Sequence, residues 1–105
     1  MICRVWRGWT TPQNADAYES VVRGEVIRGI EERNIPGLRH IDLMRRDLDD
    51  EIEFQTLMWF DSLDAIIAFV GADYGISHVP SAARDVLSRF DERAAHYEVI
   101  DRREQ

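Results

Sequence analysis

The sequence predicts one α+β domain, a ferredoxin-like split βαβ sandwich with a four-stranded antiparallel sheet. Three observations carry this. Ile52 to Val70, IEFQTLMWFDSLDAIIAFV, reads as a strand running straight into a helix. The elements around it fall in the order β-α-β-β-α-(α)-β. Finally, the first and third strands carry bulky apolar groups on both faces, so each face of the sheet needs cover.

Ile2 to Trp9 is the first strand, with Ile2 and Trp6 on one face and Cys3, Val5 and Trp9 on the other. Thr10, Thr11 and Pro12 mark a helix start, with proline at its first position. Ala15, Tyr18, Val22, Val26 and Ile30 recur at three- and four-residue steps and carry that helix to about Glu32. Pro36-Gly37 is a turn. Leu38 to Arg46 follows as the second strand, with Leu38, His40, Asp42 and Met44 on one face. Asp47 to Asp50 is a polar hairpin loop.

In the third strand Phe54, Thr56, Met58 and Phe60 alternate with Gln55, Leu57 and Trp59. Asp61 and Ser62 supply helix N-cap side chains, and Asp64 suits the positive end of the helix dipole. Gly71 is a natural stop. Pro80 restarts a helix whose stripe is Ala83, Val86, Leu87 and Phe90, and Ala94 to Ile100 is the last strand. The domain is thus read over residues 1–100, with 101–105 a charged tail expected to be disordered.

Composition excludes several chemistries. The net charge of −7 argues against nucleic-acid and anionic-membrane partners. All thirteen basic residues are Arg, so neither a lysine Schiff base nor a phosphate-loop lysine is available. Cys3 is the only cysteine, which excludes an intrachain disulfide and a cysteine-cluster metal site, and no metal is expected. It packs as a small hydrophobe. There is no bilayer-length apolar run, and Arg4 and Arg7 interrupt any leader-like segment, so the reading is cytoplasmic.

Leu57-Met58-Trp59-Phe60-Asp61-Ser62, then Ala65, Ile66 and Phe69, and the closing His96-Tyr97-Glu98-Val99 resemble the antibiotic biosynthesis monooxygenase-like family of the dimeric α+β barrel superfamily. The resemblance implies a homodimer whose two sheets face each other, forming a dimeric α+β barrel, with a small-molecule pocket in each protomer between sheet and helices. It also implies monooxygenases of aromatic compounds that use no metal or flavin, so no cofactor is expected. A haem-degrading branch places a histidine after the second helix, a tryptophan before it and an asparagine on the first strand. His78 stands nineteen residues after Trp59, the spacing of that branch, but Phe69 is at its tryptophan position and Trp6, Arg7 and Gly8 are where the asparagine would be. One element of three is kept, which counts against haem turnover.

Candidate catalytic residues are therefore His78 and His96. His78 could serve as a base, an iron ligand, or only a loop or cap histidine, and His96 as an acid/base partner of Glu98 on its own face or as part of a His-Glu ion pair at the dimer seam. Candidate ligand-binding residues are Trp6, Trp59 and Phe69 as aromatic walls, with Arg4 and Arg7 to hold an anion. Three functions remain open on the sequence: a cofactor-independent oxygenase, or related isomerase, for a small apolar or aromatic compound, a non-catalytic ligand-binding dimer, and a structural dimer.

Overall fold

The computed structural model describes residues 1–105. Strand β1 (Ile2–Thr10) runs through the middle of an antiparallel sheet ordered β2 (Leu38–Asp47), β3 (Ile52–Phe60), β1 and then β4 (Arg89–Phe90). A further short strand, β5 (Ala95–Glu98), pairs with the same edge of β1, opposite Ile2 to Val5, while β4 lies opposite Gly8 and Trp9. The expected fourth strand is thus two pieces in one position. Between them, residues 92–94 leave the ladder and bond elsewhere: Ser77 N–H donates to Glu92 O (3.1 Å) and Ala94 N–H to Gly75 O (2.7 Å). This pins the loop carrying residues 74–78 to the edge of the sheet.

The helices cover one face. Thr11 caps a short 3₁₀ turn (Pro12–Asn14), its Oγ1 accepting from Asn14 N–H at 3.2 Å. Helix α1 (Ala15–Val21) then widens into a π-helical stretch (Val22–Ile27) before α2 (Arg28–Glu32). In a regular helix of about 3.6 residues per turn, positions four apart drift round the axis. The wider π turns oppose that drift and keep Val22, Val26 and Ile30 facing the same way. Helix α3 (Leu63–Val70) starts on Ser62, whose Oγ accepts from Ala65 N–H (3.2 Å), and ends at Gly71 (φ +98°). Asp61, expected to share that cap, instead pairs with Arg39 at 2.7 Å.

Two buried clusters lie beneath the helices. One joins Tyr18 and Val22 to Ile52 and Phe54; the other joins Met58 and Phe60 to Ile66. Tyr18 meets Phe54 edge to face at 4.8 Å, and Phe60 stacks on Phe69 at 5.9 Å.

Two elements differ from the sequence reading. The last helix is only α4 (Ser81–Arg84), and Phe90 sits on β4, not on a helical stripe. The unpaired edge of β1 explains this. Ser88 N–H donates to Trp9 O (2.7 Å) and Asp91 N–H to Arg7 O (2.9 Å), bonds that a helix reaching Phe90 would forgo. Secondly, β2 carries a register shift between Leu38 and His40. Leu38 therefore packs with Ile41 in the Met58–Phe60 cluster and does not share a face with His40. No helix is long and apolar enough to cross a membrane.

Candidate ligand site

A cavity of about 340 Å³ lies between the helices and the covered face of the sheet. Trp6, Thr56 and Met58 form its sheet side, with Arg4 beside them. Tyr18, Val22, Val26 and Ile30 wall it from the first helical segment, and Phe69 and Val70 from α3. Ser77, His78, Val79 and Pro80 come from the pinned loop. Tyr18 is buried, which pushes its phenol up to about 12, so at neutral pH it is a hydrogen-bond donor and not a base.

Strand alternation decides which sequence-predicted residues reach this cavity. Arg4 and Trp6 point to the helices, and Phe69 and His78 join them on the wall. Arg7 points to the other face and is paired with Asp91 at 2.9 Å. Trp59, between inward-facing Met58 and Phe60, also lies on that other face, its indole N–H donating to Asp42 (2.9 Å). Thus Arg7 and Trp59 stand away from the cavity. His96 stands behind Arg4 and is not on the wall; its Nε2 lies 3.0 Å from Arg4 Nη1. Within the protomer it makes no ion pair with Glu98: its Nε2 meets Arg4, and Glu98 lies opposite Ile2.

Arg4 is the unusual group. It is 7% exposed and has no carboxylate partner. Its Nη1 donates to Tyr74 O and to His96, and its Nη2 to Ile76 O (3.1 Å). Burial lowers its pKa from the ordinary value, yet a guanidinium remains charged in proteins. Trp6 is fixed as well: its Nε1–H donates to Asp91 O (2.8 Å), which also accepts from Ser77 Oγ–H (2.7 Å). His78 is exposed at the cavity's edge and has no hydrogen-bond partner within the protein.

The sequence reading missed the Val22, Val26 and Ile30 wall, although their four-residue spacing is visible, and it missed Arg33 at the same wall. The carbonyls of Tyr74 and Ile76 carry no sequence signal, since any residue type supplies a carbonyl.

Since arginine can only donate, His96 Nε2 must accept, so its ring is neutral with the proton on Nδ1. Burial and then the charge of Arg4 hold its pKa below 6.5. The unfolded chain therefore takes up this proton first as pH falls, and the stability His96 contributes is present above 6.5 and lost below it. Denaturation midpoints measured from about pH 7.5 to 5.5 should fall for the wild type and fall less for His96→Gln. Parallel profiles would contradict this account of His96.

No protein-family profile matches the chain, and no curated protein is similar to it in sequence. Solved structures do match. A Bacillus cereus protein described as an antibiotic biosynthesis monooxygenase superposes with a TM-score of 0.70 at 14% identity, over 99% of this chain and 97% of its own. The haem degrader MhuD of Mycobacterium tuberculosis, solved with two haems in its active site, gives 0.58 at 18% identity, over 99% and 100%. Such identities speak to architecture, and the chain has the ferredoxin-like α+β fold of the antibiotic biosynthesis monooxygenase-like proteins.

Proposed function

We propose that the protein is a cofactor-independent monooxygenase-like enzyme acting on a small apolar or aromatic compound held in this cavity. The observation that carries the reading is an apolar chamber with a fixed, buried guanidinium on one wall and a histidine free of protein partners at its edge. The fold shared with a protein described as a monooxygenase supports it.

In this chemistry the substrate supplies the electrons. His78 takes the proton from an enol or phenol O–H. The positive charge of Arg4 lowers the energy of the resulting oxyanion. The anion then reduces dioxygen. One oxygen atom bonds to substrate carbon, the other leaves as water, and that water takes the hydrogens lost from C–H and O–H. A phenol plus one dioxygen thus gives a quinone plus one water.

Haem is a poorer occupant. His78 could supply a ring nitrogen to its iron, but Trp6 is tied in place by Asp91 O, and 340 Å³ is near the low end of the roughly 300–1,000 Å³ of small-ligand pockets. A flat macrocycle would have to displace Trp6, so the residues present do not fit it.

Oxygen-electrode assays on a panel of aromatic phenols and enols, with a metal chelator present, test the proposal. Uptake of one dioxygen per substrate is expected, slowed roughly 100-fold or more in His78→Ala. Compounds that bind with no oxygen uptake would make this a ligand-binding protein instead.

The uncovered face of the sheet supports a homodimer. Val5, Leu57 and Trp59 are only partly covered there, and Tyr97 and Met44 are 61% and 48% exposed. A second copy of the same face would bury them. Sedimentation should give a dimer at low micromolar concentration that Trp59→Arg weakens; a stable wild-type monomer would refute it.

A further inference from the structure

The charges around the cavity say more about its ligand than its apolar walls do. The protein carries a net charge of −7, yet no Asp or Glu lines the cavity, while Arg4 and Arg33 both do. Nine of the arginines pair with carboxylates, every one of them at least partly exposed. Arg4, the buried arginine, pairs with none. A buried cation is costly without an opposite charge.

Hydrogen bonding points the same way. Tyr74 O, Ile76 O and His96 take three of the five guanidinium N–H groups. The Nε–H and one Nη2–H have no protein acceptor. Nε and Nη2 form the edge through which arginine holds a carboxylate by two parallel bonds. Two carbonyls and a neutral imidazole hold that group rigid without neutralising it.

We infer that the cavity's ligand carries a permanent carboxylate, which docks on Arg4, so the substrate class is a small aromatic or enolic acid and not a neutral compound. This rests on the same cavity being the ligand site, but not on the ligand being oxidised. The acid group supplies the missing counter-charge, so with such a substrate Arg4 acts as the anchor of the acid rather than as the stabiliser of the oxyanion, and it fixes which way round the apolar part lies against Trp6, Val22 and Met58.

Calorimetric titration of the full chain with 2-naphthoate and its neutral counterpart 2-naphthamide tests this. The acid should bind at least about tenfold more tightly, because the amide leaves the guanidinium buried and unpaired. Arg4→Met, with folding checked by circular dichroism, should abolish the preference. Arg33→Gln should keep most of it and serves if Arg4→Met does not fold. Equal affinity of acid and amide, no acid binding at millimolar concentration, or loss of the preference in Arg33→Gln would overturn the assignment to Arg4. Acid preference without oxygen uptake on any hydroxylated acid removes the oxygenase reading and leaves this one standing; oxygen uptake without acid preference does the reverse.

Discussion

Phe60→Ala is expected to cost about 3–5 kcal/mol of folding stability. Phe60 is 0% exposed, ends β3 and begins the turn into α3, so its ring joins sheet to helix. It packs with Met58 and Ile66 and stacks on Phe69, and alanine would leave a hole that neither a strand nor a capped helix can close. Phe69 also belongs to the cavity wall, so loss of Phe60 should loosen the ligand site as well as the core. Urea denaturation with an unchanged midpoint would show that the cluster does not hold α3 to the sheet.

Gly37→Ala is expected to cost roughly 2–4 kcal/mol, from two separate sources. Gly37 has φ +86°, which an L-residue with a side chain adopts at a cost, and a Cβ there would lie 2.8 Å from Ala65 Cβ on α3. Its carbonyl also accepts from Asp61 N–H at 2.9 Å, so the turn and the start of α3 are held together. Gly71→Ala is the natural comparison. Gly71 has φ +98°, but a Cβ at that position would meet nothing within 4 Å, so this variant should lose only the conformational part. Equal losses in the two would mean that the contact with α3 gives way easily.

The legible parts of this fold are those set by local chemistry. The alternation from Ile52 to Phe60, the Ser62 cap and the Gly71 stop all act within a few residues, and the structure keeps each of them. The hidden parts are those decided by distant partners. Nothing local in Ser88 to Phe90 announces a strand; the bare edge of β1 recruits it. The shift at Leu38 depends on what β3 offers opposite. Residue type alone makes Arg4 and Trp6 ligand-binding candidates, but only the pairing of β1 with its neighbours turns them inward and Arg7 outward. Trp59 resembles an aromatic wall because it is large and sits in the best strand, yet its position between Met58 and Phe60 sends it to the opposite face.

The three tryptophans offer the most direct test of where the ligand sits. Trp6 lines the cavity, whereas Trp9 and Trp59 lie on the other face of the sheet, Trp9 beneath the guanidinium of Arg89 at 3.9 Å and Trp59 on Asp42. Each gives one indole N–H resonance in a nitrogen-labelled sample. Titration with 2-naphthoate should shift the Trp6 resonance and leave those of Trp9 and Trp59 in place. A shift of Trp59 with Trp6 unmoved would put the ligand on the uncovered face and contradict the site described above.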